Sequence, residues 1–511
     1  MLGLGLALAR GARANGRFPN AQSVRELGAD SLVVAGTYGL LLTTNGGKDF
    51  AYVCESEMFG RSAGGFTLDP LLEVAPDGSF VTGSVQAARR SLERGCGFET
   101  IESLPRNFDF FGETPPDGAE SGKVVDLCRR GPGAAAPLLA LVSIVDAAGI
   151  PLEHRVYEAR SGTEFSRVGA PIPKEILEFG LTLDAAPSDP DRFYVTGRLA
   201  NEPVLATSRD GGGSWDGTPV PVADAEDVLG VYLAAVSPSD PERIYVRASR
   251  RRLTDAGYYL WDDSLLVSDD AGGEFFEPLR HEAALLGFAL GNDGETVLAG
   301  YGDPRADSAT SSADEHGIYA ADASVAAGDL AFERIVSDLD VNCLAATASG
   351  LYACATEVDP LGADPSVEND FHLGLYAGAD LPRSRADFTA LLKLRDVRGP
   401  APRSDGRPGP CDEEWSTGDP TAPVPAGACA QFFACDNDPT ALEPSALVCA
   451  GNADGEGGAT SSERPPTKRD GEPGCGCRCA GSGHALGFGW TFAFLLGWWH
   501  KFGRRCRRSS F

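Results

Sequence analysis

The sequence lacks the long stretches of helical periodicity that a mostly α-helical protein would show. Its 511 residues are 42% hydrophobic, but 63 glycines and 35 prolines interrupt the chain at short intervals. Turn residues at that density favour short strands joined by turns. We therefore predict an all-β chain with a sizeable core, built as one very large domain or several ordinary ones.

Positive charge is scarce. The chain has 73 acidic and 44 basic residues, a formal net charge of −29, and its last positions, 501–511, carry five of the basic ones. A surface this acidic repels phosphate backbones, so we predict no nucleic-acid partner. The charge keeps the protein soluble, and we expect a monomer.

Histidine is also rare. None of the six histidines shares metal-ligand spacing with another: His154, His281, His316, His372, His484 and His500. Paired aspartates offer oxygen ligands for Ca²⁺, but turn formation explains them equally well: Asp189, Asp191, Asp262, Asp263, Asp269 and Asp270. We therefore predict no catalytic residue, no metal site and no cofactor.

A pattern of Ser or Thr, an acid or Asn, Gly and an aromatic recurs along the chain. Its four clear copies are Thr43, Asn45, Gly47, Phe50; Ser91, Glu93, Gly95, Phe98; Ser208, Asp210, Gly212, Trp215; and Ser268, Asp270, Gly272, Phe275. The hydroxyl and carboxylate can accept hydrogen bonds from backbone N–H groups in a tight turn, and Gly permits a positive φ. The aromatic then packs back onto the sheet. Folding alone explains the pattern.

The pattern resembles the Asp-box, or BNR repeat, of sialidase-like β-propellers. In that family the box joins the last two strands of a blade, away from the central ligand-binding face. Weaker copies extend the series to seven, with aromatics 48 to 67 residues apart at Phe50, Phe98, Phe165, Trp215, Phe275, Phe332 and Phe388. We predict a seven-bladed β-propeller over residues 15–397, with its closing strand in 17–24. A six-bladed ring is the alternative if one unit is an insertion.

Cysteines suggest disulfides in an exported chain. We predict Cys54–Cys96 between neighbouring blades and Cys343–Cys354 across a hairpin, which leaves Cys128 unpaired. Residues 398–450 form a small disulfide-stapled extension whose pairing stays open, with cysteines at Cys411, Cys429, Cys435 and Cys449. The C-x₅-C spacing within it does not suit a zinc ribbon.

Both ends of the chain carry export features. Residues 1–14 read as a signal peptide cleaved after Ala14. A polar linker at 451–474 precedes residues 475–511, in which a Cys motif, an apolar run at 485–499 and a basic cluster predict one short transmembrane helix. This tail resembles the MYXO-CTERM class of sorting signals, which implies processing at Cys475 or Cys477. We expect an exported protein that is displayed on the cell surface, anchored in the membrane or released after processing.

A sialidase would need an arginine triad, an acidic acid/base and a Tyr–Glu pair. Only Arg17-Phe18-Pro19 faintly matches the N-terminal arginine motif of that family. We therefore predict a non-enzymatic, surface-displayed propeller that binds a protein or glycan through its loop-built face. A secreted sialidase-like glycosidase is the first alternative, and an assembly factor similar to the Asp-box propellers of photosystem assembly is the second.

Overall fold

A computed structural model describes residues 21–400, except for 29, 38, 55–57, 59–70, 85, 94, 109–115, 117–118, 132, 134, 224–227, 255–258, 292–293, 304–308, 311, 357–370 and 394–396. Regular structure in these residues is almost entirely β-strand. The helical elements are short 3₁₀ turns at Ala313–Glu315, Ala327–Asp329 and Arg385–Asp387. No helix in this part of the chain is long and apolar enough to cross a membrane. The predicted span at 485–499 lies outside it.

Seven sheets, each built around four consecutive antiparallel strands, define the blades. The first four blades are β1 (Ala21–Gly28), β2 (Ser31–Gly36), β3 (Gly39–Thr43), β4 (Phe50–Cys54); β5 (Leu71–Val74), β6 (Phe80–Gly83), β7 (Ala88–Glu93), β8 (Cys96–Thr100); β9 (Gly122–Arg129), β10 (Leu138–Val145), β11 (Pro151–Ala159), β12 (Ser166–Ile172); and β13 (Phe179–Ala185), β14 (Phe193–Leu199), β15 (Glu202–Ser208), β16 (Asp216–Pro219).

Blades 5 to 7 follow the same plan with one addition. Their strands are β17 (Val228–Val236), β18 (Ile244–Leu253), β20 (Asp263–Ser268), β21 (Phe276–His281); β22 (Ala284–Leu290), β23 (Thr296–Gly302), β25 (Gly317–Asp322), β26 (Glu333–Val336); and β27 (Val341–Thr347), β28 (Gly350–Ala355), β29 (Leu373–Tyr376), β30 (Thr389–Leu392). The addition is β19 (Tyr259–Trp261), which pairs with the end of β18 and, in parallel, with β24 (Ala309–Thr310).

The first strand of each blade lies innermost, and these strands follow one another around a closed ring. Along it β5 packs on β9, β9 on β13, β13 on β17, β17 on β22, β22 on β27 and β27 on β1. The expected strand at 17–24 corresponds to β1, which begins at Ala21 and contacts the last blade. A further strand, β31 (Val397–Pro400), pairs in parallel with β4 on the outer edge of blade 1. The chain is a seven-bladed β-propeller, and the six-bladed alternative is excluded.

Antiparallel order sorts the connections onto two faces. The turns between strands 1 and 2 and between strands 3 and 4 lie at one end of the ring. All four clear repeat turns belong to the second kind, so we call this end the box face. The turns between strands 2 and 3 and the links between blades lie at the other end, the loop face. Strand β1 begins at the loop face, and β4 and β31, which pair in parallel, both end there.

The core contains seven large apolar clusters, one between each pair of neighbouring blades, and a small eighth cluster of Trp261 and Ala284. Strand β10 shows how one sequence serves two clusters, since every one of its residues is buried. Leu138 and Ala140 pack toward blade 2, and Leu139 and Leu141 pack toward blade 4. Side chains alternate across a strand, so a nearly continuous apolar run is what a strand between two blades requires.

Candidate functional site

The repeat turn of blade 4 satisfies its own polar groups. The hydroxyl of Ser208 accepts a hydrogen bond from the Gly212 N–H at 2.8 Å and donates to Asp210 Oδ1 at 2.9 Å. Asp210 also accepts from the N–H and the hydroxyl of Ser214, at 2.8 and 2.7 Å. These bonds hold the pKa of Asp210 below its usual range. Every acceptor is used within the turn, so a ligand finds little to bind there.

The other clear copies use the same bonds. In blade 5 the hydroxyl of Ser268 accepts from Gly272 at 2.9 Å and donates to Asp270 at 2.8 Å. In blade 1, Thr43 and Asn45 repeat them around Gly47, and in blade 2 Ser91 accepts from the Gly95 N–H. The side chain of Glu93 lies outside the described residues. Six of the seven aromatics begin a fourth strand or directly precede one, namely Phe50, Phe165, Trp215, Phe275, Phe332 and Phe388, and Phe98 is the third residue of β8.

Each repeat turn also packs against the preceding blade. The Gly212 carbonyl accepts from the Ala170 N–H in blade 3 at 2.7 Å, and the indole of Trp215 donates back to the Ala170 carbonyl at 3.3 Å. A Cβ on Gly272 would lie 2.4 Å from Leu205 Cδ2 in blade 4. The turns are therefore joints between blades, a role that the sequence pattern did not reveal.

Only some of the cysteines with predicted disulfides lie among the described residues. Cys343 and Cys354 occupy directly opposed positions of β27 and β28 and form a disulfide with a Cα–Cα distance of 4.8 Å, as predicted. Cys128 forms no disulfide and is mostly buried among apolar side chains. The side chains of Cys54 and Cys96 lie outside the described residues, as do Ala14, Cys411, Cys429, Cys435, Cys449, Cys475 and Cys477.

A cavity of about 300 Å³ opens within the central channel, on the side of blades 5, 6, 7 and 1. Four inner strands and β18 build its wall. The polar lining groups are Gln22, Ser23, Arg25, Tyr232 and Arg247, and the apolar ones include Leu233, Leu285, Leu286, Phe288 and Leu344. The lining contains no carboxylate. A concave site that combines apolar walls with convergent polar groups is a candidate site for a small ligand.

Arg247 reaches the cavity from β18, and several contacts hold its guanidinium in place. Its Nε and Nη2 donate to the fully buried carboxylate of Asp263, at 2.8 and 2.7 Å. Asp263 also accepts from the backbone N–H of Leu285 at 2.9 Å. The guanidinium carbon lies 5.7 Å from the Tyr232 ring centroid. These contacts fix the guanidinium beside an aromatic face at the cavity wall.

Arg25 enters the cavity from β1 and is held in the same way. Its Nε and Nη2 donate to Glu73 Oε1 of blade 2, at 3.2 and 2.8 Å, and Glu73 also pairs with Arg129 of blade 3 at 3.5 Å. The nearby carboxylate raises the pKa of the Arg25 guanidinium. Arg25, Arg129 and Arg247 are thus each paired with a carboxylate already present.

Two aspartates on neighbouring inner strands are mostly buried. Asp126 accepts from the N–H groups of Leu127 and Leu183, at 2.9 and 2.8 Å, and Asp184 accepts from the N–H of Ala185 at 2.8 Å. Burial raises the pKa of both carboxyls to about 7. Neither residue lines the cavity. The Asp126 carboxylate instead links blade 3 to blade 4 by accepting hydrogen bonds from backbone N–H groups of both. No metal-binding group of three or more His, Cys, Asp or Glu side chains occurs among the residues placed by the structure.

Sequence reasoning missed all of these channel residues. A charged residue within the apolar run of a first strand, as in "VVDLC" around Asp126 or "LTLDAA" around Asp184, was the available signal. Charges are rarely buried without a partner, so such positions indicate an internal network. Which of them border a cavity depends on the packing of seven blades, which no local pattern specifies.

No protein-family model and no curated protein sequence matches the chain. Similar solved structures include an ancestral GH74 enzyme at 13% identity and a TM-score of 0.41; the match covers 66% of this chain but only 40% of that enzyme. The polysaccharide lyase Uly1 matches at 10% identity and 0.38, over 70% and 90% of the two chains. A Dyadobacter fermentans protein of unknown function matches at 14% and 0.30, over 67% and 92%. Matches with TM-scores below 0.5 support no conclusion about this chain.

Proposed function

We propose that this protein is a non-enzymatic, exported β-propeller that binds a protein or glycan ligand through its loop face, centred on the channel cavity. The cavity supports this most directly. It presents two guanidinium groups and two aromatic rings, from Arg25, Arg247, Tyr232 and Phe288, and no carboxylate. Such a lining suits hydrogen-bond donation and ring stacking rather than acid–base chemistry.

The box face supports the same assignment by contrast. We propose that its four repeat turns are Asp-boxes with a structural role only, because their polar atoms are used inside the turns and their glycines pack on the preceding blade. Ligand binding is then left to the opposite face. Five of the six large hydrophobic side chains exposed in the described residues lie on loop-face turns or at loop-face strand ends: Ile150, Leu152, Phe179, Leu253 and Tyr259.

Export is a further part of the proposal. The Cys343–Cys354 disulfide suits an oxidising compartment. The sequence features at 1–14 and 475–511 agree with passage across a membrane and retention at the cell surface. Cell fractionation with mass spectrometry of the termini tests this directly. We expect a mature N-terminus near Asn15 and a membrane or surface fraction; an intact Met1 with free thiols in the cytoplasm would contradict it.

A glycosidase is the second candidate, because Asp126 and Asp184 have pKa values raised to about 7. A carboxyl that stays protonated near neutral pH is what a general acid requires. Both groups are mostly buried, however, and bind backbone N–H groups. Asp126→Asn and Asp184→Asn would abolish hydrolysis if these carboxyls acted as acid and base.

The test uses the purified full-length protein in three assays: a glycan array, binding to candidate surface proteins, and hydrolysis of fluorogenic glycosides including a sialoside. We expect saturable binding of at least one ligand and no hydrolysis of the glycosides. Tyr232→Ala at the cavity wall should weaken binding about tenfold or more. Phe276→Ala, exposed on the box face, is the matched control and should bind normally. Turnover lost in the two aspartate variants would favour the glycosidase instead.

A further inference from the structure

One hairpin stands out from the loop face. The second strand of blade 5, β18, has ten residues, whereas the second strands of the other blades have four to eight. Its last three residues, Arg251–Leu253, pair only with β19. At about 3.3 Å per residue, Leu253 lies roughly 20 Å along the strand from Arg247 at the cavity.

The base of this hairpin is rigidly held. Arg250 is almost completely buried, and its guanidinium donates to the Asp262 and Ala223 carbonyls at 3.0 and 3.1 Å. It also donates to the Ser264 hydroxyl at 2.9 Å and to Glu277 at 3.1 Å. A guanidinium with this many partners fixes the strand on which it sits, so the described residues at the base of the hairpin are held firmly against blade 5.

One side of the hairpin forms a flat platform, defined by Arg251, Leu253, Tyr259 and Trp261. Arg251 opposes Trp261 and Leu253 opposes Tyr259 in the strand register, so all four side chains share a face. The Arg251 guanidinium lies 4.8 Å from the Trp261 ring centroid. Leu253 and Tyr259 are 57% and 42% exposed, a high value for large apolar side chains.

A small buried cluster connects the platform to the cavity wall. Trp261, which is only 9% exposed, belongs to this cluster; Leu286 packs against the cluster and also lines the cavity. A volume of about 300 Å³ holds a small ligand or one unit of a larger one. A ligand confined to the cavity would not contact the exposed Tyr259 ring on the platform.

We infer that the ligand is a neutral, linear glycan chain, with one unit in the cavity and the following units stacked along the platform. This rests on the proposed binding function and specifies its ligand class. Flat aromatic and guanidinium surfaces suit the apolar faces of sugar rings. The net charge of −29 and the pairing of Arg25 and Arg247 with Glu73 and Asp263 disfavour an acidic polymer.

The test measures binding of the full-length protein to cello- and xylo-oligosaccharides of two to eight units, with polygalacturonate and an acidic peptide as charged probes. We expect affinity to rise with chain length and then level off. Tyr259→Ala should lower affinity for the longest chain about tenfold and leave the shortest unchanged. Phe276→Ala, 38% exposed on the box face, should change neither.

The outcomes separate this inference from the proposed function. Affinity independent of chain length, or unaffected by Tyr259→Ala, overturns the extended ligand while leaving a binding propeller intact. Binding only to a charged probe or a protein overturns the neutral glycan. If no probe binds and Tyr232→Ala affects no ligand found by the array or the protein assays, both proposals fail. Circular dichroism of each variant establishes that its fold is unchanged.

Discussion

The two faces of the propeller use polar residues in opposite ways. On the box face, the hydroxyl of Ser208 and the carboxylate of Asp210 bind groups within their own turn. On the loop face, apolar side chains such as Leu152 and Leu253 are more than half exposed. The box face joins the blades, so the loop face is free of that structural demand. The comparison teaches that the repeated residues carry the architecture and leave the unrepeated ones available for the binding role proposed above.

The largest expected effect lies in a box-face joint. Gly272 has a φ of +93°, and a Cβ there would meet Leu205 Cδ2 at 2.4 Å. Gly272→Ala should therefore lower the free energy of unfolding by about 3–5 kcal/mol, from backbone strain plus overpacking. Gly212→Ala has a similar φ of +87° but its nearest atom is 3.6 Å away, so about 1–2 kcal/mol is expected. Chemical denaturation measures both; equal losses would mean that inter-blade packing contributes nothing.

The channel wall between the faces should show a pH effect of up to about 4 kcal/mol per aspartate. The pKa values of Asp126 and Asp184 rise from 3.8 to about 7 on folding. The folded chain then binds more protons than the unfolded one, so this stability is complete below about pH 4 and is lost as pH approaches 7. Because Asn is neutral at every pH and resembles the protonated carboxyl, the stability curves of the wild type and Asp184→Asn should agree near pH 4 and diverge as pH approaches 7, where the wild type becomes the less stable. Parallel curves would contradict the shift, and the exposed Asp216→Asn is the control.

A smaller loss is expected from the polar part of a repeat turn. Ser208→Ala removes the acceptor of the Gly212 N–H inside a buried turn and should lower stability by about 1–3 kcal/mol. Ser214→Ala, which removes an exposed hydroxyl that donates to Asp210 in the same turn, should have little effect on stability. Thermal melts of the two variants compare them. If Ser214→Ala lowers stability as much as Ser208→Ala does, the hydrogen bonds to the Asp210 carboxylate stabilise the turn as much as the one from the Gly212 N–H.

The smallest change in stability is expected on the loop face. Ile150→Ser with Leu152→Ser replaces side chains that are 49% and 53% exposed, so the free energy of unfolding should stay within about 0.5 kcal/mol. Solubility should improve instead, because an exposed apolar patch is reduced. Denaturation and light scattering give the two readouts. A marked loss of stability would show that these residues belong to the core, and the contrast between the faces would fail.

Blade number was predictable because each unit repeats the same turn chemistry. Ser208 and Ser268 lie at equivalent ends of third strands, and all seven aromatics lie within two residues of the start of a fourth strand. The Cys343–Cys354 pair was predictable because both residues flank one tight hairpin. The cavity was not, since Arg25 and Arg247 are 222 positions apart and meet only when the ring closes. Spacing along a chain carries local geometry, whereas a channel is a property of the whole assembly.

Strand β31 gives the molecule a mechanical property. It lies in parallel with β4 and runs toward the loop face, over Val397–Pro400. A pull on the chain beyond Pro400, away from that face, would load its inter-strand bonds together in shear instead of peeling them apart one by one. If the protein is tethered through its C-terminal region, tension from a captured ligand would pass through this one strand. Its resistance would then set the force at which the propeller begins to open.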